Sequence, residues 1–421
     1  MSASPARACG IDFGTSNSTV GWLRPDSGAL IPLEDGKTTL PSAVFFNADE
    51  DTTCFGRAAL AEYLDGYEGR LMRALKSLLG SSLIDGSTEV LGRQLSYREL
   101  LRQFIGELKT RAETFAGRRF EAAVLGRPVH FVDDDEDADR RAQETLGEIA
   151  RSVGFREIAF QFEPIAAAFH YEQDLDREEL VLIVDIGGGT ADFSIVRLSP
   201  ERARHVERRE DLLANAGVHI GGTDFDRALS LAEVMPLLGM NSKKKSGIEI
   251  PSAPFFRLAT WHLINFSYTR TAWNELQEIY RDAAEREKLD RLLNTVSQRD
   301  GHWLALQVEQ AKIGLSEHER VTLELDRIAR APLEHAIDRA GLDAALAPLT
   351  TRVRDTVATM LAEAGVAGEQ IDTVFFTGGS SGVSLLRQQI AALLPQARAV
   401  EGDLFGSIGA GLAVEAARRF G

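Results

Sequence analysis

Only two cysteines, Cys9 and Cys54, occur in 421 residues, too few for a disulfide framework or a thiolate zinc site. The eight histidines are scattered and form no HExxH pair, so no transition-metal motif is present. No apolar run reaches the roughly 18 residues a spanning helix needs. The opening MSASPARACGIDFG likewise holds no apolar stretch long enough for a signal peptide. Positive charge is also short: 47 Lys and Arg face 63 Asp and Glu, a net charge of −16. A surface that acidic repels phosphate backbones and anionic lipid, which argues against nucleic-acid and membrane partners while leaving room for a local pocket that takes a small phosphate ligand. The expectation is a soluble, cytoplasmic protein.

What remains is an ordinary globular balance, 44% hydrophobic and 26% charged. At about 150 residues per domain the length suggests two domains or one divided one. Two distant segments share one design. From Ala8 to Trp22 a short apolar strand runs into Asp12-Phe13-Gly14-Thr15-Ser16 and returns as a strand through Val20. From Leu180 to Leu198 the run LVLIV enters Asp185-Ile186-Gly187-Gly188-Gly189-Thr190 and returns from Phe193. Both read as hairpins with a Gly-rich turn and an Asp at its entrance, which implies an internal duplication. Within Val124 to Phe131 a strand ends at Gly-Arg-Pro, and within Val374 to Gly382 another ends at Gly-Gly-Ser, while Ala142, Leu146, Ile149, Ala150 and Val153 recur at helical spacing before Gly154. Strands alternating with helices predict α/β lobes: a first lobe over 1–180 and a second over 181–421.

The stretch at about 227–308 differs. Ala272, Leu276, Ile279 and Ala283 mark one helical face, and Leu289, Leu292, Leu293 and Val296 another. Three of the four tryptophans lie here, and Lys243-Lys244-Lys245 with Pro251 and Pro254 reads as a loop. The expectation is a helical insert subdomain on the second lobe, whose aromatic helices could face a protein partner or simply fill an enlarged core.

Tight Gly-rich turns expose consecutive backbone N–H groups, and such nests bind phosphate oxygens without any net positive charge. Glycine suits them because a Cβ would block close approach and disfavour positive φ. Asp12 and Asp185 then supply hard oxygen charge for a hydrated Mg²⁺, with hydroxyls from Thr15, Ser16 and Thr190. One such turn alone would pass for an ordinary hairpin; two in the same strand setting do not. By contrast the acids Asp133 to Asp137 fit a helix start, and Cys9 fits a buried strand.

GIDFGTSNS, VDIGGGTADFSIV, GGTDFD and FFTGGSSG together resemble the nucleotide-binding domain of the 70-kDa heat-shock chaperone family, within the actin and sugar-kinase superfamily. The resemblance runs from Gly10 to Ala413 with the motifs in order. It implies a two-lobed, actin-like ATPase fold, α/β with duplicated ribonuclease-H-like domains, and ATP or ADP with Mg²⁺ as ligands. It also assigns roles. Asp12 and Asp185 match the carboxylates that hold the metal's water shell. Gly14, Thr15, Ser16 and Asn17 match the first phosphate loop; Gly187, Gly188, Gly189 and Thr190 match the second. Lys76, in ALKSLLG, matches the catalytic lysine, although standing alone it would read as a solvated helix lysine. Glu163, in EPIAAA, matches the glutamate-proline segment, which with Pro128 and Arg140 would relay nucleotide state to lobe rotation. Catalysis would then rest on Lys76, Glu163, Asp185 and Thr190. Glu309, Lys312 and Ser316 fall on one helix face and match ribose and adenine contacts. Gly378, Gly379 and Ser380 match the far side of that pocket, and Gly221 and Gly222 match its rim, where Thr223 replaces the usual Glu.

Two departures stand out. The family's arginines that sandwich the adenine ring are here Ile313 and Gly382, and losing that stacking, about 1–2 kcal/mol, implies weaker rather than absent nucleotide binding. The chain also ends after the last helix of the nucleotide domain, so the resemblance implies a member without the linker and peptide-binding domain. The leading expectation is slow Mg-ATP hydrolysis in a chaperone-like protein. The competitors are a nucleotide-gated binding module with negligible hydrolysis, an actin-like filament former, and a small-molecule kinase, for which no acceptor-site base can be named.

Overall fold

The two Gly-turn hairpins each seed a five-stranded sheet, and the two sheets have the same topology. The computed structural model describes residues 7–24, 28–132, 135–205, 207–329, 331–402 and 406–421. The first sheet comprises β1 (Ala8–Asp12), β2 (Asn17–Gly21), β3 (Thr39–Pro41), β4 (Ala122–Arg127) and β5 (Glu157–Phe162), in the order β5-β4-β1-β2-β3. The second comprises β6 (Glu179–Ile186), β7 (Ala191–Leu198), β8 (Leu212–Val218), β9 (Thr373–Thr377) and β10 (Arg398–Glu401), in the order β8-β7-β6-β9-β10. In each sheet three strands form an antiparallel meander, and two parallel strands add to the first strand's other edge. The duplication read from the motifs is therefore a duplication of sheet topology, and the fold is the mixed α/β type expected of an actin-like ATPase.

By contact the described chain divides into two compact units. One is Met1–Val218 with Thr356–Ser381 and Ala391–Gly421; the other is His219–Asp355 with Gly382–Ile390. Both five-stranded sheets lie in the first unit. The central strands of the second sheet carry the runs LVLIV and FSIV, apolar but for Ser194 and almost entirely buried, as strands covered on both faces require. The strand expected to end at Gly126-Arg127-Pro128 does so: β4 stops at Arg127, since Pro128 cannot supply a ladder N–H.

The helix Glu136–Ser152 buries Ala142, Leu146, Ile149 and Ala150, as the spacing predicts. The Asp135 carboxylate accepts from the Ala138 N–H at 2.8 Å and caps it, with Glu136, Asp137 and Asp139 in the first turn and Arg151 in the last. Asp133 and Asp134 lie outside the described residues. Gly154 follows with φ of 102°, the left-handed geometry that ends helices.

The last helix, Ser407–Phe420, packs on β1 and on the short helix Glu163–Ala167 at backbone distance. A Cβ added at Gly411 would overlap the Ala166 carbonyl oxygen and lie 2.7 Å from its carbon. One at Gly10, in β1, would come within 2.5 Å of the Ala413 nitrogen. Glycine on both surfaces is what lets the helix lie so close.

The second unit holds the helices Gly222–Leu229, Ala253–Ala259, Arg270–Asp282, Arg286–Ser297 and Gly301–Glu317, and the hairpin Arg320–Glu324 with Glu334–Asp338. The helical stretch expected at about 227–308 falls inside it. Ala272, Leu276 and Ile279 are buried on one face, and Leu289, Leu292 and Val296 on the next. Trp261, Trp273 and Trp303 are each half-buried. The lysine loop is more ordered than its composition suggests. Lys244 N–H donates to Ile248 at 2.7 Å, Ile250 N–H to Ser242 at 3.0 Å, and Lys245 N–H to Asp282 at 2.7 Å. Pro254 is not in that loop but in the first turn of the helix Ala253–Ala259, where a missing N–H costs nothing. Among the described residues no helix is long and apolar enough to cross a membrane.

Candidate functional site

Asp12 closes β1 and Asp185 stands one residue before the end of β6, so sheet topology delivers both carboxylates to the mouths of the two turns. The turns also touch. A Cβ at Gly188 would overlap the Ser16 hydroxyl and sit 3.1 Å from Ser16 Cβ. The first turn is fastened from outside by Ser42, whose N–H donates to Ser16 O at 2.8 Å and whose hydroxyl donates to Gly14 O at 2.7 Å. The second is closed by the Gly187 N–H donating to Thr190 O at 2.9 Å. Positive φ is not what these glycines provide: none of Gly14, Gly187, Gly188 and Gly189 adopts it. The left-handed glycine is Gly378, φ 79°, just past β9, where a Cβ would overlap Asp185 Oδ1 and lie 2.5 Å from Ile186 O. Ser380 N–H then donates to Ile186 O at 3.1 Å, so the Gly378-Gly379-Ser380 turn is built directly on the strand that carries Asp185.

Lys76 stands on a 3₁₀ turn, Leu75–Leu78, entered through Ala74 with φ of 55°. Its ammonium pairs with Glu163 Oε1 at 2.5 Å, with both side chains largely buried. Glu163 opens the helix Glu163–Ala167, with Pro164 in the first turn. Burial disfavours the lysine's charge, but Glu163 and then Asp12 outweigh it and hold the ammonium above its ordinary range. The carboxylates move the other way from normal. Burial, then Glu163, pushes Asp12 up to about 7 against the pull of Lys76. Burial, then Asp192, Glu163 and Asp12, pushes Asp185 up to about 8.

Sequence reasoning misses Asp192. It lies directly across the hairpin from Asp185, as Thr19 lies across from Asp12, and its carboxylate accepts from the Thr190 hydroxyl at 2.9 Å. Like charges directly opposed on paired strands repel. A charge two residues past the turn, in a strand that continues FSIV, is the signal that could have found it. These carboxylates, with no His or Cys among them, suit a hard cation held through water. Among the described residues no group of three or more His, Cys, Asp or Glu side chains is arranged to hold a metal ion directly.

The first unit thus brings together Asp12, Lys76, Glu163, Asp185, Thr190, both turns and Gly378 to Ser380. Arg140 does not join them. It is exposed and pairs with Asp137, while Arg127 holds Pro128 by donating to its carbonyl at 2.9 Å. The second unit carries Gly221, Gly222, Glu309, Lys312 and Ser316. Lys312 is buried, pairs with Asp226 at 2.7 Å and donates to Gly222 O at 3.2 Å, so it ties the helix Gly301–Glu317 to the start of Gly222–Leu229. Glu309 is half-buried, and the Ser316 hydroxyl donates to Lys312 O at 3.4 Å. Gly221 N–H is capped by Asp224 at 3.1 Å. Ile313 is 48% exposed, and nothing lies within 4 Å of a Cβ at Gly382.

The family described as "Hsp70 protein" matches residues 8–254 and 277–417. Among curated relatives, the chaperone protein DnaK of Thermus thermophilus is 27% identical over 436 aligned residues, covering 97% of this chain and 60% of that protein. DnaK of a second strain of the same organism gives the same figures. DnaK of Thermosipho melanesiensis is 28% identical over 350 residues, covering 81% of this chain and 51% of that protein. The chain therefore spans 60% or less of the length of these relatives. Two sheets of matching topology, two abutting Gly turns with their aspartates, and a match over both stretches lead to one conclusion: the chain is a member of the Hsp70 family.

Proposed function

We propose that this chain binds ATP with Mg²⁺ at the two abutting turns and hydrolyses it slowly to ADP and phosphate, in a chaperone-like role of the Hsp70 type. The observation that carries the reading is the buried Lys76–Glu163 pair, set among Asp12, Asp185 and Asp192 beside two Gly-rich loops. In this reading 1–180 and 181–421 are the two actin-like lobes, each built on one sheet, and the helices at about 227–308 form an insert on the second.

Each residue then has a task. The backbone N–H groups of the turns Gly14 to Asn17 and Gly187 to Thr190 donate to phosphate oxygens. Lys76 places its ammonium against the γ-phosphate, where phosphoryl transfer rewards charge neutralisation and positioning above all. Glu163 orients that ammonium and, with Thr190 and Asp185, orders the attacking water. Mg²⁺, when bound, supplies charge neutralisation across the phosphates, and Asp12 and Asp185 would hold its water shell. As the family resemblance implies, Glu309, Lys312, Ser316, Gly221 and Gly222 take the ribose and base.

A second reading, a nucleotide-gated binding module without turnover, is favoured by Ile313 and Gly382 at the base-stacking positions. The aromatic helices between Trp261 and Trp303 of the insert would be its protein-partner surface. Single-turnover hydrolysis of radiolabelled ATP with Mg²⁺, run beside equilibrium binding for wild type and Lys76→Ala, separates the two. Hydrolysis by wild type with a mutant that binds and does not turn over supports the ATPase. Binding by both with turnover by neither removes the catalytic assignment and leaves a nucleotide switch.

A further inference from the structure

Arg127 has no role in the site described above, yet it is among the most heavily engaged side chains of the first unit. It ends β4 and lies beside Phe162 of β5, the residue immediately before Glu163. The side chain is 12% exposed. Its Nε donates to Pro128 O at 2.9 Å and its Nη2 to Val129 O at 2.9 Å. Nη1 donates to Gln143 Oε1 at 2.5 Å, and Nη2 also meets both oxygens of Asp139, at 3.0 and 2.8 Å. Asp139 in turn accepts from the Phe131 N–H at 2.5 Å. The guanidinium lies over two rings, Phe131 at 5.4 Å and Phe162 at 5.3 Å.

These contacts lead to both members of the ion pair. Through Phe162 the guanidinium presses on the residue that enters the Glu163 helix. Through Pro128, Val129 and Asp139 it fixes the segment 128–131, which abuts the chain just past the 3₁₀ turn that carries the lysine. A Cβ at Gly80, four residues past Lys76, would lie 2.6 Å from Phe131 O. Only a planar fork could reach two carbonyls, an amide and a carboxylate while lying over two rings, so a lysine cannot reproduce the arrangement.

We propose that Arg127, with Asp139, is a positioning residue that holds Lys76 and Glu163 in register by clamping the 128–131 segment to the β5–helix junction. It touches no reacting atom. The proposal rests on the catalytic reading of Lys76 and Glu163, but its structural content does not require turnover.

The test uses the full chain without nucleotide, followed by hydrogen exchange read by mass spectrometry, for Arg127→Gln, Arg127→Lys and Asp139→Asn. The expected result is exchange faster by about tenfold in peptides covering 74–80 and 163–168, with the β6–β7 hairpin unchanged as internal reference. Arg127→Lys should recover part of the protection. In single turnover, Arg127→Gln should lose about tenfold in rate while nucleotide affinity stays within about twofold, because misplacement costs rate and not binding. Unchanged exchange at 74–80 and 163–168 in a folded Arg127→Gln or Asp139→Asn protein overturns the proposal. So does a general rise in exchange that includes β6–β7, which would make Arg127 a plain stability residue. If wild type itself shows no turnover, the ATPase reading falls, and the exchange pattern alone decides this one.

Discussion

Replacing glycine by alanine inside a helix ordinarily stabilises it by about 0.5–1 kcal/mol. In this protein the same change should have opposite signs in two helices. Gly106 lies in the helix Tyr97–Ala116, where an added Cβ meets only Val153 Cγ1 at 3.5 Å, an ordinary contact. Gly106→Ala should gain the usual increment. Gly411 lies in Ser407–Phe420, where the Cβ overlaps Ala166 O and sits 2.7 Å from its carbon and 3.0 Å from its Cα. Every obstructing atom is backbone, so no rotamer change relieves the overlap and the helix must retreat by about an ångström. Overpacking of that kind costs about 1–3 kcal/mol and occasionally more. Retreat also strips contacts from buried Leu412 and Ala416, so we expect a net loss of about 3 kcal/mol after the helix-propensity gain. Urea unfolding followed by tryptophan fluorescence, with slopes compared to exclude a change in the unfolded state, measures both variants. If Gly411→Ala is neutral or stabilising like Gly106→Ala, the backbone-distance packing of the last helix is wrong.

Other outcomes follow from the same geometry. Asp185, pushed up to about 8 by burial and then Asp192, keeps a proton in the folded state that the unfolded chain has lost. Stability in EDTA without nucleotide should therefore fall as pH rises from the ordinary carboxylate range toward 8. Between about pH 6 and pH 7.5 Asp185→Asn should remove about 2 kcal/mol of that fall, and equal slopes for the two proteins in urea titrations would refute the assignment. Arg208 and Glu172 are both buried and joined at 2.7 and 2.9 Å. Asp211 also pairs with Arg208, so Glu172→Ala leaves the guanidinium one buried carboxylate and should cost about 2–3 kcal/mol of unfolding free energy, and a loss below about 1 kcal/mol would contradict it. Ile313→Arg should tighten nucleotide binding by about tenfold in calorimetry by restoring a stacking guanidinium, whereas no gain would mean the base does not lie against this helix.

The sequence by itself determined the parts whose information is local. The Gly turns at 14–17 and 187–190, the apolar runs around them and the helical stripe from Ala142 to Val153 all act through neighbours a few residues away, so spacing alone revealed two like hairpins and their aspartates. The family resemblance added Lys76 and Glu163, which spacing alone would have left on a solvated helix and at an unremarkable helix start. Only the tertiary structure decided what these residues meet. Lys76 and Glu163 are 87 positions apart in the chain, and their pairing at 2.5 Å exists because a 3₁₀ turn and a helix end at one place. Gly378 was recognisable as part of a motif, but its lack of a Cβ is required by Asp185 on a strand that joins it only in the sheet. Spacing placed Lys312 on one face of its helix, and only the fold shows its ammonium buried against Asp226, since a buried charge needs a partner. Arg127 carried no signal at all in sequence. Its two rings, two carbonyls and carboxylate gather around it only when β4, β5 and the helix Glu136–Ser152 are assembled, and long-range proximity of that kind is fixed by packing, not by pattern.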